Sequence, residues 1–295
     1  MSNLTQWSPQ RMLSDRATSA RPALALNNTT LCMAWRGING DAIFVSTSQD
    51  GGSTWSKQGG LTTHTTPNGP ALAAFNGMFV MAWRESDGGY RLRTSTSRDG
   101  VTWSAPTRLD GYATDESPGL AAIGNGANAL AVLCWKGKDR DTIFVATSKD
   151  FVTWSEQREL SDRQTGSGPS VTGTVMGPAF VMTWRGRDGE HVFVSKSQDG
   201  LTWSPEKKLG DPKTSASPAI THSDNLGVYY LAWRGVNSDN IWVSYSENGL
   251  DWSAQSRLPE RGTRSGVAMS PVSRTLYMIW RGSGQDNIWT SILEP

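Results

Sequence analysis

Cysteine is scarce in this chain: its 295 residues include two, Cys32 and Cys134, too few for a disulfide framework. Long apolar runs are missing too. The best, Ala129 to Trp135, is strand-sized, whereas a membrane helix needs ~18 such residues, so no membrane insertion is expected. Net charge is almost absent, with 28 Lys+Arg against 27 Asp+Glu. No broad field therefore favours nucleic acid or an anionic membrane as partner. Met1 to Leu13 holds no apolar core of the kind a secretory leader needs, so the expectation is a cytoplasmic protein or one exported by a non-classical route. His64, His191 and His222 lack metal-ligand spacing, and no phosphate loop or nucleophile elbow occurs; no metal or cofactor is expected. Helical periodicity with caps is also lacking. At 37% hydrophobic and 19% charged, the chain is nevertheless globular.

What the sequence does have is tryptophan, 14 of them, twelve of which fall in two periodic sets. One is Trp7, Trp55, Trp103, Trp154, Trp203 and Trp252; the other is Trp35, Trp83, Trp135, Trp184, Trp233 and Trp280. Pro22, Pro70, Pro118, Pro169 and Pro218 keep the same beat, with Gly266 in the sixth place. Repeats of this length point to solenoids or propellers. Each unit reads as four strands, the second apolar on both faces, as expected where sheets stack. The last unit ends after its third strand, and the missing fourth is found at the other end, around Trp7 with Leu13. The expectation is one all-β domain over 1–295, a six-bladed β-propeller of four-stranded antiparallel blades closed by the N-terminal strand. Its blades run approximately 14–61, 62–109, 110–160, 161–209, 210–258 and 259–295 plus 1–13. The two cysteines fall on second strands of non-adjacent blades and read as buried thiols.

Between third and fourth strands a turn recurs: Ser48-Gln49-Asp50-Gly51-Gly52-Ser53-Thr54-Trp55, with shorter copies at Ser97 to Trp103 and Ser197 to Trp203. Weaker copies lie at Ser148 to Trp154 and Ser246 to Trp252. Asp and Ser side chains accept backbone N–H bonds, Gly takes positive φ and Trp folds beneath, a structural role. The motif resembles the Asp-box, or bacterial neuraminidase repeat, of the sialidase-like propellers, along the whole chain. That superfamily includes sialidases, other glycosidases, receptors, assembly factors and lectin-like proteins, so fold does not imply activity. The resemblance implies, for a sialidase, an Arg-x-Pro motif on a first strand, a Tyr/Glu pair and an acid Asp. Arg21-Pro22 is one residue short of that spacing, and Tyr230 and Tyr277 read as core, so a convincing catalytic set is lacking.

Opposite the Asp-box turns, the connections keep nearly one length from blade to blade, which suggests one small site repeated rather than one catalytic site. The second strands end Trp35-Arg36, Trp83-Arg84, Trp135-Lys136, Trp184-Arg185, Trp233-Arg234 and Trp280-Arg281. An acid follows in most copies: Asp41, Asp141, Glu190, Asp239 and Asp286. Thr18, Thr66, Thr114, Thr165, Thr214 and Thr263 recur before the first strands. Cation, carboxylate and hydroxyl suit vicinal sugar hydroxyls, and an indole suits a pyranose face. In blade 2, Glu85, Asp87 and Tyr90 replace the standard loop, and the repeated site is expected to be lost or altered there. The leading expectation is a multivalent lectin whose partners are glycans. The alternatives are an exo-glycosidase of sialidase type, with Arg21 and Arg264 gripping a carboxylate and Glu116 in acid–base work, or a protein-binding scaffold. His191, beside Glu190, is expected to be a solvated turn residue.

Overall fold

In the computed structural model, residues 6–75, 77–124, 126–175, 177 and 179–294 are described. The chain opens with β1 (Arg11–Ala17), and four four-stranded antiparallel sheets follow. Unit 1 is β2 (Ala23–Asn27), β3 (Thr30–Arg36), β4 (Ala42–Ser48) and β5 (Gly59–Thr65). Unit 2 is β6 (Ala71–Phe75), β7 (Met78–Arg84), β8 (Arg91–Ser97) and β9 (Thr107–Ala113). Unit 3 is β10 (Gly119–Ile123), β11 (Leu130–Lys136), β12 (Thr142–Ser148) and β13 (Arg158–Gln164). Unit 4 is β14 (Ser170–Gly173), β15 (Phe180–Arg185), β16 (His191–Ser197) and β17 (Lys207–Lys213).

The remaining strands share one seven-stranded sheet: β18 (Ala219–Ser223), β19 (Val228–Arg234), β20 (Asn240–Ser246), β21 (Ser256–Val272), β22 (Thr275–Gly282) and β23 (Asn287–Ile292), with β1 on the outer side of β23. Strand β21 pairs with β20 through its first half and with β22 through its second, so it ends unit 5 and begins unit 6. Proline, which has no N–H to donate, stands just before the first strand of units 1 to 5. Gly266 occupies that place in β21, and the strand runs on uninterrupted. The N-terminal strand completes unit 6: Arg11 pairs with Thr290, Leu13 with Ile288, and Trp7 bridges Leu293.

Hydrophobic side chains gather between units. Cys32, Ala34 and Ile43 of unit 1 pack on Phe79, Met81 and Trp83 of unit 2. A further cluster joins Leu24, Met33 and Trp35 of unit 1 to Leu13, Tyr277 and Ile288 of unit 6. This explains why the second strands are apolar on both faces, for in β7 every residue from Phe79 to Trp83 is fully buried. The first strands touch in order, β2 on β6, β6 on β10, β10 on β14, β14 on β18, β18 on β21 and β21 on β2, around a central cavity of about 280 Å³. Cys32 and Cys134 are buried free thiols, and burial raises the Cys134 pKa to about 12. Tyr277 is core as expected, its hydroxyl donating to the Gly52 carbonyl at 3.0 Å.

Buried charge is handled by repetition as well. Arg16, Arg163 and Arg261 each donate to the carbonyl of the Ser that follows the turn tryptophan in the next unit, namely Ser56, Ser204 and Ser8. Tyr112 makes the corresponding bond to Ser155, and Pro212, with no donor, holds the place between units 4 and 5. Among the described residues no helix is long and apolar enough to cross a membrane.

Candidate functional site

The Asp-box turns are self-contained. Gly52 N–H donates to Ser48 Oγ and Thr54 N–H to Asp50 Oδ1, both at 2.8 Å, and Gly52 has φ of 96°. The Thr54 hydroxyl and amide, with Ser48, hold the Asp50 carboxyl down at about 2. These acids are spent on the turn, as the sequence suggests.

On the opposite face the predicted cations and acids mostly meet one another. Arg36 Nη2 lies 2.6 Å from Asp41 Oδ1, Arg234 Nη2 2.7 Å from Asp239 Oδ1, and Arg281 Nη2 2.6 Å from Asp286 Oδ1. Lys136 is shared between Asp115 at 2.9 Å and Asp141 at 3.5 Å, while Asp141 also takes Arg187 at 2.9 Å. Unit 4 departs, since Arg185 donates to the Gly166 carbonyl at 2.5 Å instead of pairing with Glu190. Arg36–Asp41, Arg234–Asp239 and Arg281–Asp286 tie each turn to its own unit, Arg187 reaches from unit 4 to Asp141 of unit 3, and each pair adds only ~0–1 kcal/mol at a rim. The six threonines are fully buried and cannot reach a ligand. Thr18, for instance, donates to the Ala20 carbonyl at 3.0 Å and accepts from its N–H, which turns the chain into the next first strand.

The tryptophan expectation needs correcting. Trp35, Trp135, Trp184, Trp233 and Trp280 are at most 1% exposed, closed in between neighbouring units, and offer no face to a pyranose. The aromatic group that does reach the rim is their register partner on the third strand: Phe44, Phe144, Phe193, Trp242 and Trp289, all half-buried. Phe44, Phe144 and Phe193 stack on the buried indoles with centroids 5.8–5.9 Å apart. Each of the five rings lies over the glycine that follows the second-strand cation. A Cβ at Gly37 would come within 2.7 Å of Phe44, at Gly186 within 2.5 Å of Phe193, and at Gly282 within 2.5 Å of Trp289. Such glycines are needed for close approach rather than for flexibility.

Two of these rings, Phe44 and Phe193, line cavities between the fourth strand of one unit and the turn of the next. In unit 1 a cavity of about 300 Å³ holds Phe44 with Asp15, Asn39 and Gln58. In unit 4 one of about 340 Å³ holds Phe193 with Asp162, Gln164, Asp188, His191 and Lys208. His191 is thus a wall of a cavity. Burial, then Lys208 and Lys213, lowers its pKa, so it is neutral at pH 7. The signal that marks these positions in the sequence is joint loss: unit 2 has Glu85 in place of the glycine and Arg93 in place of the aromatic ring.

A separate feature lies at the mouth of the central cavity. Arg21 reaches across from unit 1 to unit 6, and a Cβ at Gly266 would come within 2.8 Å of its Cδ, so the missing sixth proline makes room for this side chain. Among the described residues its guanidinium has no hydrogen bond or ion pair. Burial lowers its pKa, opposed by Cys134 and Glu116. Burial, then Asp115, raises the pKa of Glu116, against the cations Lys136, Arg185 and Arg21. Arg264 does not join them as expected; it is exposed and leans toward Asp286 at 3.9 Å. No group of three or more metal-ligating side chains occurs among the described residues.

Comparison with known proteins bears on the fold. A fungal lectin from Aleuria aurantia, described as a six-bladed β-propeller with a fucose recognition mode, is 12% identical with a TM-score of 0.68, covering 96% of this chain and 93% of its own. An α-L-arabinanase from Penicillium chrysogenum, complexed with arabinobiose, is 13% identical at a TM-score of 0.66, covering 96% and 94%. A Hadza microbial sialidase is 17% identical at 0.65 over 92% of this chain; the chain spans 64% of that protein's length. No curated protein matches by sequence. The model of the BNR repeat-like domain matches residues 3–173, more than half of the chain, and the protein belongs to that family.

Proposed function

We propose that the six units close into one six-bladed β-propeller domain, completed by its N-terminal strand, and that this propeller is a multivalent carbohydrate-binding protein, a lectin. The observation that carries the reading is the half-buried third-strand aromatic ring repeated in five of six units, with side-chain amides and carboxylates around it in units 1 and 4 and the cations Arg187 and Lys208 in unit 4. An aromatic face with a few directional polar groups suits a pyranose ring, one side of which is apolar. The sites are small and open, so each binds weakly, and strength comes from engaging several at once on clustered glycans. The pairs Arg36–Asp41, Lys136–Asp141, Arg234–Asp239 and Arg281–Asp286, together with Arg185 and Glu190, shape the turns beside these sites. The fucose-lectin and arabinanase likenesses agree with a carbohydrate ligand. A glycan array probed with wild-type protein and with the Phe44→Ala, Phe193→Ala variant tests the reading. Binding competed by a free monosaccharide and weakened in the variant is expected; a blank array with folded protein would overturn it.

A second reading has its own observation. The unpaired Arg21 guanidinium over the central opening, facing Glu116, suits the carboxylate of an acidic sugar, as in an exo-glycosidase of sialidase type. It requires hydrolysis of a fluorogenic sialoside that is lost in Arg21→Ala, and an inactive wild type would remove it.

A further inference from the structure

Unit 2 has lost the shared aromatic site, yet it is no blank copy. Glu85 is buried with its side chain 4% exposed, and Arg93 Nε donates to its Oε2. The other carboxylate oxygen, Oε1, accepts no hydrogen bond, and Arg91 Nη1 stands 3.9 Å away. Beside it lies a second carboxylate, Asp87, whose Oδ1 accepts the Gly89 N–H at 2.8 Å. The remaining N–H groups of Arg93 have no partner among the described residues. Both side chains line a cavity of about 240 Å³ with Thr63 and Thr65 of the preceding strand, Trp83 and Pro106. A buried carboxylate oxygen without a donor is costly to keep, ~1–3 kcal/mol or more. Simple decay of the aromatic site would not select such a group together with a matched arginine.

We infer that this cavity is a second kind of ligand site, which reads a vicinal diol of a sugar or cyclic polyol by hydrogen bonds, without an aromatic platform. One hydroxyl donates to Glu85 Oε1 while its neighbour accepts from the free edge of Arg93, and the Thr63 and Thr65 hydroxyls lie along the wall. Each sugar hydroxyl both donates and accepts, so a carboxylate next to a guanidinium matches a diol better than either an isolated anion or an isolated cation would be matched. This rests on the carbohydrate-binding reading of the same face and adds that the protein carries two chemically different classes of site.

The test is an NMR titration of the full chain with myo-inositol and with methyl glycosides of fucose, galactose and mannose, following the Arg93 Nε–H signal and the ring signals of Phe44 and Phe193. The expected result is that at least one probe shifts Arg93, and that Glu85→Gln weakens that binding about tenfold or more. Gly89→Ala supplies a variant that keeps every charge. A Cβ there would come within 2.9 Å of Asp87 Oδ1 and 3.2 Å of Glu85 Oε1, so it crowds the acceptor and should also weaken binding. Probes that shift Phe44 or Phe193 but never Arg93 would overturn this inference and leave the aromatic sites standing. An Arg93 shift indifferent to both substitutions would overturn it too. Silence at all three positions would overturn both readings together.

Discussion

Units 2 and 4 are built on the same frame. Each buries its second-strand tryptophan completely, each carries an Asp-box turn, and each pairs that tryptophan with one residue of the third strand. They differ in what fills the rim. Unit 4 lays Phe193 over Gly186, while unit 2 sets Arg93 against Glu85. The two solutions are each internally consistent and cannot be mixed, because a side chain at Gly186 would run into the Phe193 ring, and a buried Glu85 without Arg93 would keep only the more distant Arg91, 3.9 Å away. The difference teaches that the pair, rather than the single residue, is the unit of change in this family of repeats. It also separates the frame, which the buried tryptophan serves, from the site, which its neighbour serves.

That separation can be broken or sharpened by substitution. The largest effect is expected from Trp184→Ala, which opens a cavity in the core shared with unit 3 and should cost about 3–5 kcal/mol in denaturant unfolding. Gly186→Glu alone should cost about 3 kcal/mol, and adding Phe193→Arg should recover most of that stability while leaving unit 4 without its aromatic site. If the double variant is no more stable than the single one, the pairing argument fails. Phe193→Ala should weaken adhesion to a glycan-coated surface several-fold while costing less stability than Trp184→Ala, since the ring is only half-buried.

Smaller effects lie outside the pockets. Asp50 sits at about 2 in the folded chain, below the ~3.9 of an unfolded aspartate. Its contribution to stability is therefore full above pH ~4 and is lost as pH falls through about 2. Asp50→Asn should flatten the decline of Tm with acid across that window and change little at neutral pH. Arg234→Met, which breaks a rim pair with Asp239, should move stability by no more than ~1 kcal/mol.

Much of the frame was legible in the sequence, because a repeat exposes equivalence: six tryptophans on one beat, five prolines on another, and a fourth strand missing at one end and present at the other. The turn chemistry of Ser48, Asp50 and Gly52 was equally plain, since it is local. The site was less so. Periodicity shows that Trp35 and Phe44 are each repeated, but not which of the two the next unit covers; that depends on how sheets stack. Thr18 and its counterparts look like sugar-binding hydroxyls until the backbone is seen to turn back onto them. Arg21 and Gly266 stand at opposite ends of the chain, and their fit is visible only once unit 6 lies beside unit 1.

Strand β1 is made before the other strands of the six units and finds its partner, β23, only after β2 to β22 have been made. Until then Trp7 and Leu13 have no sheet to cover them, and the outer edge of unit 6 is an open gap. Closing it is a single late event of very long sequence separation, the slowest class of contact to form. The nascent protein is therefore expected to pass through an open, adhesive arc of five finished units, and molecular chaperones that shield exposed strand edges would act on this species rather than on the completed chain.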